Sequence, residues 1–234
     1  MSSTTPRADG FIAAFTEHFV QVDGVRTRYL EAGQGSPVVV LHGSDDATPS
    51  PLTNLLARQF RVIALEIPAF DRAPVDKRSS SLRDVARTLA RATAAASLDH
   101  YVLVSTATNA SLALWQAIDA PERVDALVLI SPSVLFPTGR TTTSGFTGDP
   151  ELERRLRDIQ TATLVLFGTN DEVQPPETGR MYVERLPNCY YVLVYDAGHA
   201  IEAERPEALL AAVCDFVERR GTFIVERQST AINP

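Results

Sequence analysis

Short apolar runs alternate along this chain with longer segments in which apolar residues recur at helical spacing. The runs are almost continuously apolar and rich in β-branched residues, which is typical of parallel strands covered on both faces. There are six of them: PVVVLHG, FRVIALEIP, HYVLVS, VDALVLISP, ATLVLFG and CYYVLVYD. Because strand and helix alternate, the pattern predicts an α/β fold with a mostly parallel, doubly wound sheet.

An antiparallel hairpin is predicted to open this sheet. HFVQV and RTRYLEA flank Asp23-Gly24, and the Asp-Gly dipeptide favours a tight two-residue turn between antiparallel strands. Together with the buried runs, the hairpin gives a sheet of about eight strands.

Four segments have the apolar spacing of helices: SPLTNLLARQ, SLRDVARTLARATAAASL, ASLALWQAIDA and PEALLAAVCDFVERR. Ser81 and Asp84 stand at the start of the second segment in the positions of a capping pair. Pro121 ends the third segment, and Pro206 suits the first turn of the fourth.

All 234 residues fit a single domain, because open α/β folds commonly reach this length undivided. Residues 1–15 and 222–234 are expected to be poorly ordered tails, since both ends of the chain are polar. Residues 136–150 are rich in Thr, Gly and Pro and are predicted to form a loop. The charged segment DPELERRLRDIQ is predicted to be a short surface helix.

Composition and charge limit the kinds of partner. The chain is 44% hydrophobic and 22% charged, as soluble globular proteins are. Its net charge of −7 argues against nucleic acid or an anionic membrane as a partner but says little about the substrate or ligand, for which we expect a small molecule. No run approaches the roughly 20 apolar residues of a transmembrane helix, and no secretory leader is recognised, which makes the cytoplasm the simplest location. The oligomeric state is left open.

The two cysteines, Cys189 and Cys214, do not form a disulfide framework or a metal-binding pattern. Cys214 lies in the apolar run LLAAVCDFV, and we interpret it as a small core residue rather than a reactive thiol. We expect neither a metal nor an organic cofactor.

The candidate catalytic residues lie where the predicted strands end. One strand ends in His42-Gly43, a later one leads into VSTATNA, and two more are followed by the segments that carry Asp171 and His199. In this order the segments resemble those of the α/β-hydrolase fold superfamily over about the whole chain. The resemblance implies that His42, Gly43 and Ser44 form the oxyanion loop, that Asp171 is the acid and that His199 is the catalytic histidine.

The same resemblance includes a departure at the nucleophile. The family's elbow reads G-x-S-x-G, whereas the five positions here are Ser105, Thr106, Ala107, Thr108 and Asn109. Ala107 offers only a methyl group, so the usual acyl-enzyme route is closed. The elbow residue of the family has positive φ, a strain of about 1 kcal/mol or more. Without a serine this strain would serve no catalytic purpose. We therefore expect the turn to relax to an unstrained conformation.

Many family members also insert a helical cap after the strand written here as DALVLISP. Only about 30 residues separate this strand from TLVLFG, which is short for a cap. We therefore expect the cap to be minimal or absent. The site would then be open, or it would be closed by the 136–147 loop or by a partner subunit.

Each candidate residue also has an ordinary structural interpretation. We interpret His199 as a general base whose tautomer Asp171 fixes, rather than as a loop histidine bonded to a backbone carbonyl. Asp171 is the favoured partner, although Asp also serves as a cap in turns of this composition. The backbone N–H groups of Ser44 and Thr108 would form the oxyanion hole.

Polar residues near the elbow and the oxyanion loop leave alternatives open. Asp45 and Asp46 would point to solvent, or one of them would contact a cationic or hydroxyl-bearing substrate or act as an acid or base. Ser105, Thr106 and Thr108 are possible replacement nucleophiles. Local hydrogen bonding, or a place in the lining of a pocket, is the simpler interpretation of these hydroxyls.

The residues support three functional hypotheses. In the first, an Asp171–His199 dyad without a nucleophile catalyses proton transfer on a small hydrophobic carbonyl compound, as a lyase, cyclase or isomerase. In the second, the protein is a pseudoenzyme that binds a ligand or serves as a scaffold. In the third, it is an esterase-like hydrolase that uses water activated by His199 or a substitute hydroxyl.

Overall fold

One mixed sheet organises the computed structural model, which describes residues 13–42, 49–67, 81–133, 149–219 and 230–232. Its nine strands are β1 (Thr16–Val22), β2 (Val25–Ala32), β3 (Pro37–His42), β4 (Arg61–Glu66), β5 (Tyr101–Thr106), β6 (Val124–Ile130), β7 (Thr163–Gly168), β8 (Cys189–Val194) and β9 (Thr230–Ile232). Their spatial order is β1-β2-β4-β3-β5-β6-β7-β8-β9. β2 is antiparallel to both of its neighbours, and all later pairs are parallel. The predicted fold class is confirmed.

Helices cover both faces of this sheet. They are α1 (Pro51–Leu56), α2 (Leu82–Ala95), α3 (Ala110–Asp119), α4 (Pro150–Arg155), α5 (Thr178–Arg185), α6 (Ile201–Glu204) and α7 (Pro206–Arg219). α2 begins with the predicted capping box, in which Ser81 Oγ accepts from Asp84 N at 3.2 Å and Asp84 Oδ2 accepts from Ser81 N at 3.1 Å. α1, α2, α3 and α7 correspond to the four predicted helices.

Two hydrophobic cores lie on opposite faces of the sheet because successive side chains of a strand alternate in direction. Leu103 packs in one core with residues of α2, α3 and α5. Val102 and Val104 pack in the other with residues of α1 and α7. This two-sided burial explains why the strand sequences are apolar at nearly every position.

The N-terminal hairpin forms as predicted. β1 and β2 pair in register as far as Val22 and Val25, which leaves Asp23 and Gly24 as the two turn residues. Their φ angles are 52° and 81°, and a two-residue turn of type I′ requires positive φ at both positions. The tolerance of Asp-Gly for this conformation thus sets the register of the hairpin.

The C-terminal end differs from expectation. Thr230–Ile232 forms β9 and pairs in parallel with residues 192–194 of β8. These three residues lie within the segment expected to be a poorly ordered tail, and with them the sheet has nine strands rather than about eight. α5 and α6 have no clear sequence signal, because α5 contains Gly179 and α6 has only four residues.

The link between β6 and β7 contributes one short helix among the described residues. α4 continues as a 3-10 turn over Leu156–Asp158, in agreement with the helix predicted for this segment. Asp149 caps α4 by accepting from the backbone N–H of Glu151 and Leu152, and Trp115 Nε1 donates to its other oxygen at 2.9 Å. The predicted 136–147 loop lies outside the described residues.

Cys189 and Cys214 are both buried and do not form a disulfide. Burial raises the pKa of the Cys189 thiol to about 12 and that of Cys214 to about 11, so neither is a ready thiolate. Across the described part of the chain, no helix has both the length and the hydropathy needed to cross a membrane.

Candidate active site

Three segments that carry candidate catalytic residues lie at the carboxyl edge of the sheet. Ala107 follows β5, Asp171 lies in the loop after β7, and His199 lies in the loop after β8. β5, β6, β7 and β8 are successive parallel neighbours, so their carboxyl ends lie along one edge. Open α/β sheets bind their ligands at this edge.

Ala107 is the centre of a sharp turn between β5 and α3. Thr106 is extended, with φ −117° and ψ 152°, whereas Ala107 has φ 45°, a left-handed value that strains a residue with a Cβ. A 3-10 turn over Ala107–Asn109 then leads into α3. The expectation that this turn relaxes is wrong.

Hydrogen bonds hold the turn in this conformation. The carbonyl oxygen of Ala107 accepts from Ser133 N at 3.2 Å and from the backbone N–H of Ala110 at the start of α3. Ala110 is buried and packs in the core that α3 shares with β5. A strained backbone conformation persists where the surrounding contacts fix it. Here the packing of α3 fixes the positive φ of Ala107, although the residue is not a serine.

The hydroxyl residues around Ala107 differ in exposure. Ser105 is fully buried, and its Oγ has no hydrogen-bond partner among the described residues. Thr106 is half-buried, and Thr108 is exposed. Because a fully buried hydroxyl is not accessible to a substrate at the sheet edge, the geometry disfavours Ser105 as a nucleophile.

Asp171 and His199 are joined by a hydrogen bond. Asp171 Oδ2 and His199 Nδ1 are 2.9 Å apart, so Nδ1 donates to the carboxylate when it carries the proton. The Asp171 side chain has no exposed surface, whereas 30% of the His199 side chain is exposed. One ring nitrogen is thus held by a buried carboxylate while part of the ring stays accessible.

The loop around Asp171 stabilises its ionised form. Asp171 Oδ1 accepts from the backbone N–H of Val173 at 3.0 Å and of Gln174 at 2.8 Å. Burial is the largest single influence on this carboxyl and raises its pKa, but the His199 hydrogen bond and the two backbone donors together outweigh it. The pKa of Asp171 is therefore lowered, and the group is a carboxylate at neutral pH.

The pKa of His199 is raised above its usual 6.5. The main cause is the hydrogen bond with Asp171; partial burial acts in the opposite direction, and the charges of Asp171 and Glu204 add to the increase. The site thus stabilises the imidazolium, which is the form that a histidine reaches after it has taken a proton as a base.

A glycine at the end of β7 allows the histidine loop to approach the acid loop. A Cβ at Gly168 would lie 2.2 Å from the Ala197 carbonyl oxygen and 2.3 Å from that of Gly198, far inside contact distance. Asn170 N donates to the same Ala197 oxygen at 2.8 Å. This close backbone approach requires glycine, and it brings His199 within reach of its partner.

Gln174 belongs to the site although no sequence motif points to it. Its side chain is buried, and Nε2 donates to the Ser133 carbonyl oxygen at 3.0 Å, while the N–H of Ser133 donates to Ala107. A path of hydrogen bonds therefore connects the Asp171 loop with the Ala107 turn. One sequence signal could have indicated Gln174: it lies three residues after Asp171. At this spacing an aspartate often accepts the backbone N–H in an Asx-type turn, as Asp171 does here.

The predicted oxyanion loop is described only at its first residue. His42 ends β3 at the same edge of the sheet. Gly43, Ser44, Asp45 and Asp46 lie outside the described residues, so their roles stay predictions. Within the described ranges, no group of three or more histidine, cysteine or acidic side chains could hold a metal ion.

Known proteins similar to this chain include named hydrolases. The chain is 24% identical to a 2-hydroxy-6-oxo-6-(2'-aminophenyl)hexa-2,4-dienoic acid hydrolase of Metapseudomonas resinovorans, over 89% of this chain and 93% of that protein. It is 26% identical to Protein ABHD14A of Homo sapiens, over 77% of this chain and 64% of that protein. No protein-family model matches the chain.

A solved structure shares the architecture over most of the chain. It is a serine hydrolase involved in carbazole degradation (CarC enzyme), with a TM-score of 0.73 and 24% identity. The alignment covers 88% of this chain and 99% of that one. At this identity the likeness is one of fold.

Proposed function

Because this chain has the α/β-hydrolase fold, we propose that Asp171 and His199 form a general-base dyad that works without a serine nucleophile. The reaction is proton transfer on a small hydrophobic carbonyl compound, of the lyase, cyclase or isomerase type. The proposal is carried by the 2.9 Å hydrogen bond between His199 Nδ1 and Asp171 Oδ2.

Ala107 stands, in this proposal, at the position of the family's serine. Three observations support this: its φ of 45°, its place between β5 and α3, and its position in the chain ahead of the acid and the histidine. Its methyl group has no lone pair with which to attack a carbonyl. Any chemistry at the site must therefore use the dyad, solvent or a neighbouring hydroxyl.

The proposed reaction moves one proton in two steps. Neutral His199 takes a proton from an enol hydroxyl, or from a carbon next to a carbonyl, and the substrate becomes an enolate. The Asp171 carboxylate stabilises the resulting imidazolium through its hydrogen bond with Nδ1. The imidazolium then returns the proton to a different atom of the enolate, which leaves an isomer and restores the dyad.

The name of one relative suggests a class of substrate. The protein of Metapseudomonas resinovorans is named for a 2-hydroxy-6-oxo dienoic acid. A 2-hydroxy-2,4-dienoic acid is the enol of a 2-oxo acid, and its conversion to the keto form is a proton transfer that needs an acid or base but no nucleophile. Enolisable 2-oxo acids are therefore the first compounds to test.

Hydrolysis by water that His199 activates is a second candidate function. The observation in its favour is that the relative of Metapseudomonas resinovorans is named a hydrolase. In this case the histidine would take a proton from a water molecule as that water attacks a carbonyl. The product would then contain the elements of water, whereas isomerisation leaves the composition unchanged.

A role limited to ligand binding is less well supported. The Asp171 side chain is fully buried, and burial of a carboxylate costs free energy unless it is paired. Here the carboxylate is paired with His199, whose side chain is 30% exposed and so remains accessible to a ligand. The contact at 2.9 Å thus favours an active dyad over a pseudoenzyme.

His199→Gln tests the proposal. A 2-hydroxy-6-oxo dienoic acid is incubated with the protein in deuterated buffer, where absorbance follows the loss of the enol and proton NMR follows deuterium uptake at carbon. We expect the wild type to accelerate this conversion and His199→Gln to lower the rate by roughly 10²–10⁴-fold, the usual contribution of a general base.

His100→Gln is the matched control, because His100 precedes β5 at the opposite edge of the sheet and 65% of its side chain is exposed. This variant should turn over at the wild-type rate. Full retention of the rate by His199→Gln would contradict the proposal. A cleaved product whose formation depends on His199, detected by mass spectrometry, would favour the hydrolytic alternative instead.

A further inference from the structure

A second carboxylate contacts the histidine loop. Gly198 N donates to Glu204 Oε2 at 2.7 Å, so the residue directly before His199 is bonded to a side chain of α6. A hydrogen bond to an ionised acceptor is stronger than one between neutral groups. Because α6 begins two residues after His199, this bond closes a short loop around the histidine.

Other hydrogen bonds hold each half of this loop separately. Before His199, the Ala197 carbonyl oxygen accepts from Asn170 N at 2.8 Å. After it, the Ala200 carbonyl oxygen accepts from Glu204 N at 3.0 Å. The side chain of Glu204 connects the two halves, because it reaches back across His199 to the backbone of the first.

We propose that Glu204 is a positioning residue: its carboxylate fixes the turn at Gly198 and so presents the His199 imidazole to Asp171. Its importance for a reaction rests on the function proposed above. The geometry itself can be measured in the absence of any substrate.

The space around Gly198 agrees with this role. A Cβ at position 198 would lie 3.0 Å from Glu204 Oε1 and 3.3 Å from Oε2, which is tighter than ordinary contact. The carboxylate therefore lies directly against the backbone of the turn. Loss of this carboxylate would leave the turn without its contact to α6.

Glu204 also adds charge to the site. The pKa of His199 is raised chiefly by the hydrogen bond with Asp171, against the effect of partial burial, and the charge of Glu204 contributes to the increase. Asp196, a further acid of the same loop, lies 3.7 Å from Arg205, which compensates its charge. The carboxylates whose charges raise the pKa of His199 are thus Asp171 and Glu204.

Two variants distinguish the effect of the Glu204 hydrogen bond on the position of His199 from the effect of the Glu204 charge. Glu204→Gln keeps an oxygen that can accept the Gly198 N–H but removes the charge, whereas Glu204→Ala removes both. NMR of the full chain follows the titration of the His199 ring, and a low-field proton resonance reports the hydrogen bond between Nδ1 and Asp171. We expect the titration midpoint to fall in both variants. The low-field resonance should persist in Glu204→Gln and disappear in Glu204→Ala.

Glu207→Gln is the matched control, because it removes an acidic charge three residues further along, in the first turn of α7. Both readouts should stay at their wild-type values in this variant. Persistence of the low-field resonance in Glu204→Ala would overturn the inference, whether or not the midpoint moves. Should Glu204→Ala fail to fold, Glu204→Asp replaces it, since the shorter side chain should weaken the same resonance.

Because no substrate is used, these results are independent of the proposed function. If His199→Gln left turnover unchanged while Glu204→Ala abolished the low-field resonance, the proposed function would fail and the positioning role would stand. If the reverse were found, the positioning role would fail alone.

Discussion

Ala107 has φ 45° at the turn between β5 and α3, a conformation that costs a residue with a Cβ about 1 kcal/mol or more. Its carbonyl oxygen accepts from Ser133 N and Ala110 N, so the turn cannot relax without the loss of these contacts. At the scale of the residue, the strain follows from the packing of α3 and does not require a reactive side chain.

Replacement of Ala107 by glycine measures this strain. Ala107→Gly should leave the free energy of unfolding unchanged or raise it by up to about 1 kcal/mol, because glycine adopts positive φ without strain but loses more backbone entropy. Ala94→Gly, at an exposed position in the last turn of α2, is the control and should lower the same quantity by about 0.5 kcal/mol. Urea unfolding provides both values. Equal losses in the two variants would show that Ala107 is not strained.

At the scale of the element, the site depends on how closely the loops after β7 and β8 pack. Gly168 ends β7 directly beneath the Ala197 and Gly198 carbonyl groups, and no side chain separates the two backbones. The Asp171–His199 contact is therefore a consequence of backbone packing between two loops. Any change that pushes these loops apart should break it.

Gly168→Ala applies such a change. Its Cβ would meet two carbonyl oxygens at 2.2 and 2.3 Å, so we expect loss of the low-field His199 resonance and a destabilisation of about 1–3 kcal/mol. Gly24→Ala is the control, since Gly24 has φ 81° but open space around its Cβ position. It should lower the free energy of unfolding and leave the His199 resonance intact. An unchanged resonance in Gly168→Ala would contradict the close packing of the loops.

At the scale of the whole molecule, the ionisation of Asp171 and His199 makes the stability of the fold depend on pH. The folded state lowers the pKa of Asp171 from 3.8 and raises that of His199 from 6.5. The stabilisation from Asp171 is present above pH 3.8 and is lost as the pH falls through the lowered pKa. That from His199 is complete below pH 6.5 and is lost as the pH rises through the raised pKa. The ion pair therefore stabilises the fold most between these two values.

Asp171→Asn should remove this stabilisation. At about pH 5.5 we expect the variant to unfold with a free energy about 1–3 kcal/mol below that of the wild type, because a buried charged acceptor is lost. The difference should shrink towards strongly acidic pH, where the wild type also loses the charge. Asp158→Asn is the control: Asp158 is an exposed partner of Arg155 at 2.9 Å, and its loss should cost no more than about 0.5 kcal/mol. A deficit of Asp171→Asn that did not change with pH would contradict the coupling.

Much of the fold could be predicted because its elements are encoded locally. The six buried runs, the Asp23-Gly24 turn and the Ser81–Asp84 capping box each depend on neighbouring residues, and all are present. β9 and α6 have three and four residues, too few for a periodic pattern, and they form because they pack on elements already in place.

The sequence by itself determined which residues could supply chemistry and which could not: a carboxyl at Asp171, an imidazole at His199 and a methyl group at Ala107. Only the tertiary structure decided that Asp171 and His199, 28 residues apart in the chain, lie 2.9 Å from each other. The roles of Gln174 and Glu204, and the strain at Ala107, likewise appear only there. The reason is physical: the chemistry of a side chain is a property of its residue, whereas these contacts arise where the backbones of distant segments pack together.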